Sequence, residues 1–157
     1  MKIAVVDDSK FTRMVIKQIL NDLSNTDFCW EAENGKIALE KNTRDPVDLI
    51  ISDLEMPVLD GLQLLKTVIG GEAKTNCLLI SAFHKSNQPK IVDALEAGAI
   101  GFIEKNSLGK GFDINSLKKE IDKYINFLTQ DNILKKEIRA TSLENHLRKP
   151  VVKNRAD

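Results

Sequence analysis

The chain has little cysteine, no net charge and no long run of apolar residues. Its two cysteines, Cys29 and Cys77, form no CxxC pair and have no histidine pattern beside them. That absence argues against a structural zinc site and against a disulfide framework. We interpret both residues as buried thiols on strands of a cytoplasmic protein, kept reduced.

The charge balance and the hydropathy pattern exclude two further classes. Lys+Arg and Asp+Glu each number 23, so no strongly basic surface is expected to bind nucleic acid directly. No stretch approaches the roughly 18 apolar residues that a membrane-spanning helix needs. The first apolar run ends at Asp7, which is too early for a signal peptide. We therefore expect a cytoplasmic protein without a membrane segment.

Two hydrophobic periods alternate along residues 1–128. Five short apolar runs have the composition of strands, at 2–6, 28–33, 48–52, 77–80 and 100–103. Apolar residues recur at helical spacing at 10–23, 36–41, 61–69, 89–97 and 114–128, with Ser9 and Gly98 as expected end signals. This alternation predicts an α/β fold, a flavodoxin-like (βα)5 three-layer sandwich around a parallel sheet of order 2-1-3-4-5.

Polar residues follow the predicted strands at the edge where such a sheet binds ligands. Asp7 and Asp8 follow the first strand, Asp53 the third, Ser81 the fourth, and Lys105 lies at the end of the fifth. Three carboxylates brought together repel one another unless a cation binds, and an all-oxygen cluster suits Mg²⁺. With the metal bound, Asp53 can stay ionised as a nucleophile toward a phosphoryl donor. Each residue alone could be an ordinary turn, cap or surface residue, but their joint placement favours a site.

Four segments make the sequence similar to the response-regulator receiver family: VVDDSKFTRMVI, DLIISDLEMPVLDGLQLL, LLISAF and ALEAGAIGFIEK. The resemblance covers about residues 1–128. It implies that Asp53 is the phosphoacceptor and that Mg²⁺ is held by Asp7, Asp8, Asp53 and the backbone carbonyl of Glu55. It also implies a sensor histidine kinase or a phosphotransfer protein as the phosphoryl donor.

The same resemblance implies a switch. Ser81 takes the place of the switch hydroxyl, Phe102 that of the switch aromatic, and Lys105 that of the phosphate-contacting lysine. Phosphorylation would draw Ser81 inward and let Phe102 rotate, reshaping the surface of the fourth helix, fifth strand and fifth helix for a downstream target or an output domain. From the residues alone, Phe102 could equally be a static core residue.

The sequence departs from the family pattern near the site. Asn106 stands where the family usually has proline, and the connector NSLGKGFD is long and glycine-rich, similar to receivers of the chemotaxis methylesterase type. Glu55 and Phe83 are expected to modulate the lifetime of the phosphoryl group. His84, in the same loop as Phe83, is expected to be an ordinary solvent-exposed histidine.

Residues 129–157 lie outside the five-fold pattern and are expected to form a helical or flexible extension or linker. The segment 129–132 breaks the apolar stripe, and Ile133, Leu134 and Ile138 are expected to restart a helix on a different face. The extension could be a surface appendage, a helix that forms a homodimer, or the start of a linker to an output domain.

We therefore predict a two-component receiver that is no enzyme beyond its own aspartyl phosphorylation and dephosphorylation. Three alternatives stay open. One is the regulatory receiver of a chemotaxis methylesterase, and another is a receiver-like binding module that is never phosphorylated. The third, a haloacid-dehalogenase-type phosphatase, fits poorly because Asp53-Leu54-Glu55 lies on the third strand rather than at the end of the first.

Overall fold

A computed structural model describes residues 1–82, 84–105 and 113–147 of the chain. Strands and helices alternate in the order β1 (Lys2–Val6), α1 (Lys10–Asp22), β2 (Asp27–Ala32), α2 (Gly35–Arg44), β3 (Leu49–Ser52), α3 (Gly61–Ile69), β4 (Asn76–Ser81), α4 (Gln88–Glu96), β5 (Gly101–Glu104) and α5 (Ile114–Leu147). All strand pairs are parallel, and the sheet order is β2-β1-β3-β4-β5. The predicted flavodoxin-like (βα)5 sandwich and its strand order are confirmed.

The central strand β3 is buried on both faces, as its unbroken apolar sequence indicates. Leu49, Ile50 and Ile51 are each at most 1% exposed. Helices cover both faces of such a sheet, so no residue of the strand alternates toward water. Burying side chains of this size contributes about 1.5–3 kcal/mol each. The sheet is therefore a rigid platform for the residues that follow its strands.

Helix ends follow local sequence signals. The Ser9 hydroxyl accepts a hydrogen bond from the backbone N–H of Thr12 and caps α1, as predicted. Asp60 and Gln63 form a reciprocal capping box at the start of α3. Gly98 has a φ of +113° just after α4, a conformation that other residues rarely adopt. These signals explain why α1, α3 and α4 were predicted to within about two residues.

A buried polar network joins the starts of β3 and β4. The Asn42 amide donates to the Thr75 hydroxyl at 3.3 Å, and that hydroxyl donates to the Val47 carbonyl at 2.8 Å. The Val47 N–H in turn donates to the Asn42 side-chain oxygen at 3.0 Å. Asn42 lies in the last turn of α2, which ends at Arg44, three residues past the predicted end of that helix. Apolar periodicity could not reveal this turn because the residue that anchors it is polar.

The helix α5 runs without a break from Ile114 to Leu147. Residue contacts divide the chain into two compact units, of which the first is Met1–Tyr124 and the second begins at Ile125, within α5. The prediction that the helix breaks at 129–132 and restarts on a different face is wrong, because α5 continues through these residues. Instead Ile133, Leu134 and Ile138 are all more than half exposed. The division at 128/129 into receiver and extension stays a prediction.

No helix in the described part of the chain combines the length and the apolar character needed to cross a membrane.

Candidate functional site

Three carboxylates meet where β1 and β3 end. Asp7 and Asp8 follow β1 and Asp53 follows β3, which pairs with β1 so that Val6 lies opposite Ser52. One carboxylate oxygen from each of the three residues lies within 4.8 Å of the other two. Asp7 and Asp53 are buried, whereas Asp8 is exposed. The predicted convergence of the three acids is therefore observed.

The donor set fits a hard divalent cation. All three side-chain ligands are carboxylate oxygens, which Mg²⁺ prefers, and the exposed position of Asp8 leaves a side open to water. Mg²⁺ usually keeps several waters and takes only one or two protein carboxylates. An open acidic cluster of this kind thus suits Mg²⁺ better than a closed all-protein site would.

Lys105 brings a positive charge to the cluster from the end of β5. Its Nζ lies 2.9 Å from Asp7 Oδ2 and 3.3 Å from Asp53 Oδ2. Burial raises the pKa of Asp7, and the nearby Asp53 charge adds to this, although Lys105 opposes both. Burial lowers the pKa of Lys105, but its hydrogen bond to Asp7 and the charges of Asp53 and Asp7 outweigh burial and leave that pKa raised. The ammonium group is thus held in its charged form by the acids.

Backbone hydrogen bonds fix the two buried acids. The N–H of Asp53 donates to the Val6 carbonyl at 2.9 Å, which extends the β1–β3 ladder by one residue. The N–H of Glu55 donates to Asp53 Oδ1 at 3.3 Å, and the N–H of Ser9 donates to Asp7 Oδ1 at 2.8 Å. Each carboxylate therefore has one oxygen held by the backbone and the other beside Lys105.

Gly61 allows the start of α3 to pack directly on the backbone of Asp53. Its N–H donates to the Leu54 carbonyl at 2.8 Å. A Cβ added at Gly61 would lie 2.8 Å from Leu54 Cα and closer still to the carbonyl oxygen of Asp53. Neither neighbour is the end of a flexible side chain, so a larger residue would displace the backbone of Asp53.

Ser81 and Phe102 lie on the two strands beyond β3. Ser81 is the last residue of β4 and is 1% exposed. Phe102, on β5 opposite Leu79, is partly buried and packs against the hydrophobic core. The predicted placement of Ser81 at the end of its strand is observed, and Phe102 lies within β5; their roles as a switch pair stay a prediction.

Two residues that sequence reasoning missed support the site from the side. Arg13 on α1 donates from Nη1 to the carbonyl oxygen of Asp7 at 2.6 Å. The Glu31 carboxylate lies 3.9 Å from Arg13 Nε and 3.0 Å from Lys17 Nζ. A polar residue on the face of α1 next to the acids was the only available signal, and it is indistinguishable from a surface charge in sequence alone.

His84 was predicted to be an ordinary loop histidine, but it faces Glu55. Its Nε2 lies 3.6 Å from Glu55 Oε2, and both side chains are about half exposed. The predicted modulator Phe83 lies outside the described residues, as do Asn106 and most of the connector that follows Lys105. Predictions about these positions stay predictions.

The sequence matches the family model for the response regulator receiver domain over residues 3–122. Among curated relatives, a protein-glutamate methylesterase/protein-glutamine glutaminase from Syntrophomonas wolfei is 32% identical over 97% of this chain and 41% of its own length. One of the same name from Pyrococcus horikoshii is 38% identical over 76% of this chain and 32% of its own length. The chain thus spans less than half the length of these relatives.

Solved structures of receivers are similar to this fold. The response regulator domain of Thermotoga maritima CheB has a TM-score of 0.69 and 30% identity, covering 80% of this chain and 93% of its own. The fold is also similar to a structure of CheY6 from R. sphaeroides in complex with the P1 domain of CheA3. The TM-score is 0.63 and the identity 29%, and the match covers 80% of this chain and 96% of the other.

These relatives contradict the prediction that the protein is not an enzyme. Proteins named protein-glutamate methylesterase/protein-glutamine glutaminase are enzymes, although this chain matches only the receiver part of them. Absence of a hydrolase motif in 157 residues could not test for a catalytic domain that lies elsewhere in such proteins. The family match over residues 3–122 and the arrangement of Asp7, Asp8, Asp53 and Lys105 lead to one assignment: this chain belongs to the response regulator receiver domain family.

Proposed function

We propose that the chain is a phosphorylation-dependent signalling switch in which Asp53 accepts a phosphoryl group. The observation that carries the proposal is the placement of one lysine and three carboxylates in one cluster. Lys105 contacts Asp7 and Asp53 directly, and Asp8 completes the acidic group beside them. A nucleophilic carboxylate, ligands for a divalent cation and a positive charge are the groups that phosphoryl transfer to an aspartate requires.

The chemical step is a displacement at phosphorus. A carboxylate oxygen of Asp53 forms a bond to phosphorus while the bond from phosphorus to the donor's histidine nitrogen breaks, and the nitrogen keeps the electron pair. Asp7, Asp8, Asp53 and the Glu55 carbonyl would hold Mg²⁺, which supplies charge neutralisation at the phosphoryl oxygens. The Lys105 ammonium, 3.3 Å from Asp53 Oδ2, supplies a second positive charge.

The response to phosphorylation involves Ser81 and Phe102. The Ser81 hydroxyl would donate to a phosphoryl oxygen, and the partly buried Phe102 would then turn further into the space behind it. That change would alter the surface formed by α4, β5 and the first turns of α5. Such a local charge change can bias a packed element between two arrangements.

The phosphoryl donor is proposed to be a sensor histidine kinase or a phosphotransfer domain. A structurally similar receiver was solved in complex with the P1 domain of CheA3, which supports this class of partner. The free cysteines Cys29 and Cys77 favour a reducing compartment, so we place the reaction in the cytoplasm.

Glu55 and Phe83 are proposed to set the lifetime of the aspartyl phosphate. The backbone N–H of Glu55 donates to Asp53 Oδ1, so this residue adjoins the phosphoacceptor, and an acidic side chain at that position disfavours added negative charge nearby. The decay rate of phosphorylated Glu55→Asn, compared with that of wild type by intact mass, tests this role. Equal decay rates would remove Glu55 as a modulator.

The main test is incubation with acetyl phosphate, with and without Mg²⁺, followed by intact mass. The expected result is an adduct of one phosphoryl group that needs Mg²⁺ and is lost in Asp53→Asn. Lack of an adduct in wild type under every condition would overturn the proposal. It would favour an unphosphorylated binding module instead.

A second candidate is the regulatory receiver of a chemotaxis methylesterase. The specific observation is that the Syntrophomonas wolfei match covers 152 of the 157 residues and so extends far past residue 122, where the family match ends. The segment after the receiver fold is therefore also similar to that methylesterase. Sequencing the gene downstream of the codon for Asp157 tests this: an in-frame hydrolase domain would support it, and an immediate stop codon would contradict it.

A further inference from the structure

We infer that His84 is a positioning residue that keeps the Glu55 carboxylate outside the metal cluster. The inference rests on the proposed function, because it concerns Mg²⁺ binding by Asp7, Asp8 and Asp53. The cluster of mutually close oxygens contains those three acids and not Glu55. The Glu55 carboxylate instead faces His84 Nε2 at 3.6 Å.

The backbone of His84 is held by a buried side chain. Asn87 is 1% exposed, and its amide nitrogen donates to the Ala82 carbonyl at 2.6 Å. The N–H of His84 donates to the Asn87 side-chain oxygen at 3.0 Å. One buried amide thus ties together the residues on either side of position 83. Breaking these bonds would leave buried polar groups unpaired, so the loop between β4 and α4 is fixed at His84.

The ring of His84 is held by its neighbour Ser86. The Ser86 hydroxyl lies 2.5 Å from Nδ1. In a neutral ring with Nδ1 as acceptor, the hydroxyl donates and the proton is on Nε2; in a charged ring both nitrogens carry protons. In these two states Nε2 carries a proton on the side of Glu55; in the third, with the proton on Nδ1, the ring donates to Ser86 and Nε2 carries none. A half-exposed pair is weak alone. Here the ring is oriented in advance, so less side-chain entropy is lost in making the contact.

Without the contact to His84, the Glu55 carboxylate is free to turn toward the acid cluster. Its own N–H already contacts Asp53 Oδ1 at 3.3 Å, so its backbone adjoins the acids. A freed carboxylate there is attracted by a bound divalent cation. Moving one charge a few ångströms toward Mg²⁺ in a water-exposed site changes the binding constant by about threefold. His84 therefore limits the negative charge at the site.

The experiment measures the Mg²⁺ dissociation constant by isothermal titration calorimetry, without phosphorylation, in wild type, His84→Phe, Glu55→Gln and the double variant. Phenylalanine keeps an aromatic side chain and removes both ring nitrogens. We expect His84→Phe to bind Mg²⁺ about threefold more tightly than wild type. In the Glu55→Gln background the same substitution should have no effect. Ser86→Ala should shift the affinity in the same direction as His84→Phe, by less.

Two outcomes would overturn the inference. The first is unchanged or weaker Mg²⁺ binding in His84→Phe. The second is an equal change of the Mg²⁺ dissociation constant in the wild-type and Glu55→Gln backgrounds, because such a change would not act through Glu55. Lys85→Ala is the matched control, because Lys85 is an exposed cationic residue in the same loop. Its effect on the Mg²⁺ dissociation constant should be the same with Glu55 as with Gln at position 55. Absence of Mg²⁺ binding by wild type, together with the absence of a phosphoryl adduct, would instead contradict the proposed function.

Discussion

Lys105 Nζ lies between Asp7 Oδ2, at 2.9 Å, and Asp53 Oδ2, at 3.3 Å. The residue that follows the edge strand β5 thus reaches across β4 to carboxylates that follow β1 and β3. The lysine side chain is 21% exposed and that of Asp7 only 2%. Asp7, the acid more removed from water, thus has the shorter contact with the lysine.

Substitution Lys105→Met should destabilise the metal-free protein. It leaves the buried Asp7 carboxylate without its cation, which should lower the free energy of unfolding by about 1–3 kcal/mol in EDTA. Added Mg²⁺ should stabilise the variant more than wild type, because the cation replaces the lost charge. Urea unfolding with and without Mg²⁺ measures both. Lys90→Met is the control: it removes an ion pair with Asp60 in which the lysine is about half exposed, and it should change stability by less than about 0.5 kcal/mol. Equal losses in the two variants would contradict the argument.

Substitution Gly61→Ala should displace the phosphoacceptor backbone. The added methyl group would overlap the Asp53 carbonyl and the Leu54 backbone, which cannot move away as a side chain would. We expect a loss of about 1–3 kcal/mol in unfolding free energy and slower phosphorylation by acetyl phosphate. Gly70→Ala at the end of α3 is the matched control, because its Cβ would make an ordinary contact at 3.4 Å. Similar behaviour of the two variants would show that the close approach at Gly61 is unimportant.

Substitution Ser81→Ala should separate phosphorylation from the response to it. The variant keeps Asp53 and Lys105, so it should still form a Mg²⁺-dependent adduct with beryllofluoride. The chemical shifts of Phe102 and of α4 should change less on adduct formation than in wild type. Two-dimensional NMR on both proteins measures this. A full wild-type response in the variant would exclude Ser81 as the switch hydroxyl.

The buried thiol Cys77 should make stability depend on alkaline pH. Burial raises the pKa of Cys77 from the ordinary 9.0 to about 12. Because the pKa is raised in the folded state, this contribution to stability is complete below pH 9.0. It is lost as the pH rises from there toward the pKa of the folded thiol. The free energy of unfolding of wild type should therefore fall relative to Cys77→Ala by up to about 1.4 kcal/mol per pH unit in this window. Parallel pH profiles of the two proteins would show that the thiol does not titrate differently in the folded state.

A chain that ends at residue 128 should fold and become phosphorylated like the full chain. Beyond that point Ile133, Leu134 and Ile138 are more than half exposed and bury little apolar surface. Thermal unfolding should therefore shift by only a few degrees. Sedimentation of both chains tests the extension as a dimerisation helix: a dimer that is lost on shortening supports that role, and two monomers exclude it.

The sequence predicted the sheet and the acid cluster well because both depend on local patterns. Each strand is a short apolar run, and the polar residue that ends the run lies at the ligand-binding edge by topology alone. Asp7, Asp53 and Lys105 meet for that reason. The distances between them depend on strand register and on side-chain conformation, and the sequence of one segment alone does not determine either.

The parts that the sequence could not predict depend on contacts between distant segments or on the absence of contacts. Asn42 extends α2 because it bonds to residues that precede β3 and β4, and such a partner leaves no apolar signal. Glu55 and His84 are 29 positions apart and meet only after two loops have folded. Conversely, α5 continues through 129–132 although its apolar stripe ends, because an exposed helix needs no buried face at every turn.

The network of Asn42, Val47 and Thr75 has a mechanical consequence. It clamps the beginnings of β3 and β4, while Asp53 and Ser81 stand at the opposite tips of these strands. A strand fixed at one end cannot slide along its neighbour, so a pull at the tip is absorbed by side chains and loops there. These hydrogen bonds therefore hold the two strands in register at the ends far from the site, and we expect a change at Asp53 to move the side chains and loops at the near ends first.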